Sequence, residues 1–231
     1  MLNTQLPQDA HQALLVGRLW VPGQGPALVA ITPQDVLDLS SLAPTCSDLL
    51  EQTDLARRVR AALAAGQARP LARTSEALAN SDETQRDTTQ PWFLAPCDLQ
   101  AVKAAGVTFV ASMLERVIEE QARGDASKAE AVRQAVVAVI GDNLRSVKPG
   151  SPEAAQLKEV LLAQGMWSQY LEVGIGPDAE IFTKAQPMSA VGSGAWVGIH
   201  PGSQWNNPEP EIVLAVNSRG EVVGATMGND V

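Results

Sequence analysis

Two short runs near the end of the chain constrain its fold most. Residues 212–216 and 221–225 are rich in Val, Ile, Leu and Ala, and Asn217-Ser218-Arg219-Gly220 stands between them. β-Branched residues suit a pleated surface, and Asn and Gly reach the backbone angles of tight turns, so the pattern predicts a β-hairpin. A loop of Ser218-Arg219 and a loop of all four residues give one register. It sets Glu211 opposite Thr226 and Glu209 opposite Gly228. A three-residue loop would turn the second strand over. Residues two apart on a strand share a face, so Glu209, Glu211 and Asp230 point the same way. Val213, Ala215, Val222, Gly224, Thr226 and Gly228 complete that face and are mostly small. Ile212, Leu214, Val216, Val223, Ala225 and Met227 form the other face and read as core. Pro208 and Pro210 lack a backbone donor, so the first strand opens at an unpaired edge.

Three carboxylates on one face repel until water or a cation relieves them. Oxygen ligands with small neighbours suit a hard divalent cation, Mg²⁺ or Mn²⁺, and leave positions for water or substrate. A solvated acidic strand face is the competing reading of the same pattern.

Composition removes other classes of function. Among 231 residues, 17 Lys and Arg against 26 Asp and Glu give a net charge of −9, with no basic run. That argues against nucleic acid and against anionic lipid as partners. Two cysteines and two histidines cannot form a zinc site of paired Cys/His spacing, and Cys46 and Cys97 read as an ordinary reduced pair. The N-terminus is polar, and no apolar run reaches membrane-spanning length, so the expected location is the cytoplasm. His200 reads as structural. No capped helix follows Gly192, Gly194 and Gly198, which speaks against a phosphate loop.

The order of elements predicts an α+β fold. Residues 13–21 and 27–32 read as strands, and 46–67 as one amphipathic helix with Leu49, Leu50, Leu55, Val59 and Leu63 inward. Residues 68–90 are polar and read as a surface connection, dividing an N-terminal α/β domain (1–90) from a second domain (91–231). Residues 91–96 read as a strand. Helices are expected over 99–105 (capped by Asp98), 108–123, 127–142 and 152–169, and strands from 171 onward.

Asn207-Pro208-Glu209-Pro210-Glu211-Ile212-Val213, followed by Gly228-Asn229-Asp230-Val231, resembles the metal site of the fumarylacetoacetate hydrolase superfamily. Glu180-Ile181-Phe182-Thr183-Lys184 resembles that superfamily's Phe-x-Lys strand. The similarity extends from about Phe93 to the end of the chain. It implies a mixed β-roll that binds Mg²⁺ or Mn²⁺ through Glu209, Glu211 and Asp230. It also implies action on small 2-oxo or 1,3-dicarbonyl acids. The expected architecture is a small N-terminal α/β part and then the first part of that β-roll. Further strands are expected after Asp230, so the chain reads as C-terminally truncated, and the full-length protein as a homo-oligomer.

Two departures narrow the chemistry. Glu211 and Asp230 are only 19 positions apart, where hydrolytic members carry a longer insertion. This shorter gap resembles the branch that dehydrates 2-keto-3-deoxy sugar acids. In the stretch from Gly106 to Glu115, Ser112 stands where the hydrolases have His, which removes the base for a hydrolytic water. The resemblance then implies Glu180 as acid/base, Lys184 as partner of the substrate carboxylate or an enolate oxygen, and Ser189 as a contact for substrate hydroxyls. The expected function is a metal-dependent dehydratase. The alternatives are a C–C bond hydrolase or decarboxylase of acylpyruvate type, and an inactive fragment or assembly subunit.

Overall fold

The computed structural model describes residues 6–106 and 147–230 apart from 164, 166, 179, 205 and 207. Between 107 and 146 it describes 118, 122, 125, 128–131, 133, 134 and 138. The chain forms two compact units, Met1–Ala101 with Ala185–Val231, and Val102–Lys184.

The first unit is built on an antiparallel sheet of β1 (Leu15–Val21), β2 (Gly25–Ile31), β3 (Asp35–Asp38), β4 (Pro70–Arg73) and β5 (Trp92–Leu94). Their order across the sheet is β4-β3-β2-β1-β5. The turn between β1 and β2, Pro22-Gly23-Gln24, falls between the two expected strands, with Gly23 and Gly25 at φ +76° and +102°. Alternation along β2 divides the core between two faces. Leu28 and Ala30 pack with Leu49 of α1 (Cys46–Leu50) and Val59 of α2 (Leu55–Ala64). Ala27 and Val29 pack with Leu19, Val36 and Ala77 of α3 (Thr74–Asn80). Leu19, Val29, Val36, Leu49 and Val59 are fully buried. Each contributes about 1.5–3 kcal/mol relative to exposure.

Three sequence expectations change here. The helix predicted over 46–67 is two helices, because Asp54 takes a left-handed conformation at φ +54° that no α-helix continues through. The polar run Glu51-Gln52-Thr53-Asp54 supplies no apolar anchor to hold a straight helix on the sheet. Residues 68–90 are more than a surface connection, since they contain β4 and α3. Their inward residues are small or hydroxylic, which hides the helical period. Thr74 donates its hydroxyl to the Thr32 carbonyl at 2.8 Å, and Ser81 donates to Ala77 at 2.7 Å. The helix expected over 99–105 is replaced by β6 (Val102–Ala105). Asp98 serves a different helix: its carboxylate accepts the Cys46 N–H at 2.7 Å and the Ser47 N–H at 3.0 Å, at the start of α1.

Asp98 is also paired with Arg18 of β1, at 3.6 Å, and both side chains are buried. The Arg18 guanidinium donates to the carbonyls of Ala95 (3.2 Å) and Cys97 (2.9 Å). Burial pushes the Asp98 carboxyl up, but hydrogen bonds from Ser47, Leu99 and Cys46 outweigh it and hold the group below the usual aspartate range. Cys46 is buried beside this carboxylate, and burial pushes its thiol up to about 11. Cys46 and Cys97 are free thiols, as expected.

The second unit joins β6 to β7 (Ile181–Ala185) and contains α4 (Pro152–Ala163) and α5 (Gln169–Ile175). The helix predicted over 152–169 stops at Ala163, and Gly165 follows at φ +67°. The strands expected from 171 begin later, because Ser168 caps α5 by accepting the Leu171 N–H. Glu172 of α5 accepts hydrogen bonds from Lys158 (2.5 Å) and the Trp167 indole (3.1 Å). The helices expected over 108–123 and 127–142 fall mostly outside the described residues. Among the described residues no helix is long and apolar enough to cross a membrane.

Candidate metal centre

The predicted hairpin is present as β8 (Glu209–Val216) and β9 (Val222–Asp230), paired antiparallel in the first unit. Its register is shifted by two residues from the expected one. The loop is Ser218-Arg219-Gly220, closed by the Asn217 N–H donating to the Glu221 carbonyl at 3.0 Å. Gly220 takes φ +78°. Alone, that three-residue loop would turn β9 over. A bulge corrects it: Val216 pairs with Val222 and Ala215 with Gly224, leaving Val223 as the extra residue. The two one-residue offsets add, so facial parity is restored. Glu209 faces Asp230, Glu211 faces Gly228 and Val213 faces Thr226. Gly220→Ala forces a side chain into the left-handed region and is expected to cost about 1 kcal/mol, read by urea unfolding.

The expectation of a core on the opposite face is not met. Ile212, Leu214 and Met227 are 74, 54 and 69% exposed. The hairpin is held near its tip instead. Ala215 and Val223 pack on the cluster around α1. Glu51, which ends α1, accepts hydrogen bonds from the Ser218 N–H and hydroxyl, both at 2.7 Å. Arg219 donates to the Glu51 carbonyl at 3.1 Å. The two bonds from Ser218 hold the Glu51 carboxyl below the usual glutamate range. Sequence reasoning missed Glu51, because its partner lies 167 positions away and no local pattern reports such a pairing.

At the other end of the hairpin, Glu209, Glu211 and Asp230 come together. Each offers a carboxylate oxygen, and these atoms all lie within 4.8 Å of one another. Glu209 and Asp230 are half-buried and Glu211 is exposed. The Glu209 N–H donates to the Asn229 side chain at 2.8 Å, which ties the two strand ends at the site. The residue facing Glu211 is Gly228, where a β-carbon would lie 2.8 Å from the Val213 side chain. Val213 thus fills the face beside Gly228, while Glu211 itself stays exposed to solvent. Oxygens bound to one Mg²⁺ at about 2.1 Å are at most about 4.2 Å apart, so small rotamer changes close this set on the ion. An all-oxygen, triply acidic donor set suits Mg²⁺ or Mn²⁺ and not a soft metal.

The other predicted site residues have varied settings. Glu180 lies just before β7 in the second unit, half-buried, and its carbonyl accepts the Gly106 N–H at 2.9 Å. Lys184 is on β7 and exposed. Ser189 lies in the first unit, where its hydroxyl donates to the Gln186 carbonyl at 2.5 Å. Ser112 lies outside the described residues. His200 is exposed and accepts the Gly202 N–H at 3.0 Å in a local turn.

Comparison with known proteins gives two partial relatives. The chain is 41% identical over 66 residues to a probable 2-keto-3-deoxyxylonate dehydratase of Haloferax volcanii. It is 40% identical over 52 residues to a 2-dehydro-3-deoxy-D-arabinonate dehydratase of Saccharolobus solfataricus. These stretches cover 29 and 22% of this chain, and span only 22 and 17% of the relatives' own lengths. No family profile matches the chain. No solved structure matches it.

Proposed function

We propose that the chain carries the metal-binding face of a lyase that dehydrates a 2-keto-3-deoxy sugar acid. The observation behind this reading is the convergence of Glu209, Glu211 and Asp230 on one strand face. The two partial relatives, both named as dehydratases of such acids, support it. A divalent cation held by the three carboxylates would act as a Lewis acid toward the 2-oxo oxygen of the substrate. Dehydration then requires loss of a proton from C3 and departure of the C4 hydroxyl as water. Glu180 is the proposed acid/base for these transfers. Lys184 is the proposed partner of the substrate carboxylate, and Ser189 the proposed contact for a substrate hydroxyl.

Treatment with EDTA is expected to abolish formation of the dehydrated 2-oxo acid, and added Mg²⁺ or Mn²⁺ to restore it. A rate that survives complete removal of divalent ions rules the reading out.

A further inference from the structure

Residues 186–208 join β7 to β8, and the described ones form neither helix nor strand. Irregular segments of this length within compact folds are usually either functional or linkers. On the dehydratase reading, the proposed substrate contact Ser189 lies near the start of this segment, and the first ligand, Glu209, follows its end. Its course therefore sets their separation. Among its described residues the backbone closes local turns, such as Ala195 N–H to the Gly192 carbonyl. Its fixed points come from the N-terminal part of the same unit. The Met188 N–H donates to the Asp98 carbonyl at 2.9 Å. The Glu83 N–H donates to the Gly194 carbonyl at 2.9 Å, and the Trp196 N–H donates back to the Glu83 carboxylate at 2.7 Å. Gly192 and Gly194 approach so closely that a β-carbon would sit 2.6 Å from the carbonyl oxygens of Phe93 and Ser81. Trp196 itself is 69% exposed, so the backbone is held while the indole is not.

We propose that Glu83 is a positioning residue for substrate binding. By gripping the backbone from Gly194 to Trp196 on both sides, it holds the segment between Ser189 and Glu209 in one course. The N-terminal part of the unit then serves the site as a template. This proposal rests on the dehydratase reading. The Glu83 side chain is 36% exposed, and its ion-pair partner Arg86, at 3.9 Å, is also held by the Asn80 and Ser81 carbonyls, so replacing Glu83 leaves Arg86 with acceptors.

The test uses the full chain with a 2-keto-3-deoxy sugar acid and with Mn²⁺. Glu83→Ala is expected to raise KM about tenfold, the factor carried by one hydrogen bond to a charged group. It is expected to leave kcat and Mn²⁺ affinity unchanged. Glu83→Gln keeps an acceptor for the Trp196 N–H and is expected to recover most of the loss. Hydrogen exchange at the Trp196 amide, read without substrate, is expected to quicken in Glu83→Ala and not in Glu83→Gln. Unchanged exchange in Glu83→Ala overturns the grip, and faster exchange with an unchanged KM overturns its link to substrate. A wild-type chain that turns over no sugar acid counts against the dehydratase reading. The exchange measurement then decides the grip alone.

Discussion

Glu211→Gln is expected to lower Mn²⁺ affinity at least about 100-fold, since even groups that merely orient ligands carry effects of 10–100-fold. Metal-dependent turnover should fall with it. The stability of the two proteins should cross over. Without metal, the substitution removes one of three carboxylates from a cluster whose oxygens lie within 4.8 Å, so it relieves repulsion and raises Tm slightly. With Mg²⁺ at about 100 times Kd, binding stabilises the wild-type chain by about 2.7 kcal/mol, and the variant gains almost nothing. A solvated acidic face gives the first effect without the second. Thermal melts of both proteins with and without Mg²⁺ distinguish the two, and equal metal-induced shifts would sink the site. Glu211 is exposed, so the substitution itself leaves the fold undisturbed.

The largest effect on stability is expected from Asp98→Ala. It leaves Arg18 buried without a counter-charge and takes the acceptor from the Cys46 and Ser47 N–H groups at the start of α1. Breaking a buried ion pair on one side costs about 3–5 kcal/mol, which lowers Tm by about 10 °C in a chain of this size. The pH dependence has a definite sign. The folded-state pKa of Asp98 lies below its unfolded value, so its contribution is complete above about pH 4, the unfolded value. It is lost as the pH falls through the lower, folded value. The difference in stability between wild type and Asp98→Ala should therefore be constant from pH 6 to 8, by the ordinary aspartate range, and shrink in acid. Urea midpoints across that range measure it, and a difference that grows in acid would contradict the assignment.

The carboxylate face was legible because a strand repeats every two residues. The sequence reading missed the register by two, and the faces survived because two is the period of the strand. What it could not see was how the shift arises. Gly220 in a three-residue loop and Val223 in a bulge each move β9 by one, and either alone would carry Asp230 away from Glu209. The Asp98 carboxylate was read as a cap for the residues just after it. Locally that is sound, but it is bound by backbone groups of Cys46 and Ser47, more than 50 positions away. The same limit hid α3, whose buried face is made of Thr74, Ala77 and Ser81 rather than large apolar residues.

By itself the sequence determined the strands around Gly23 and Gly25, the hairpin at Asn217–Gly220, and the shared face of Glu209 and Glu211, whereas the bulge at Val223 decided that Asp230 joins them. Each follows from side-chain periodicity or turn chemistry within a few residues. Tertiary structure alone decided the pairing of Asp98 with Arg18. It also decided the clamp of Glu51 on Ser218 and the grip of Glu83 on Trp196. These depend on which distant groups reach a buried or uncapped polar atom first. That is settled by packing, where an unsatisfied donor or charge costs more than any local preference.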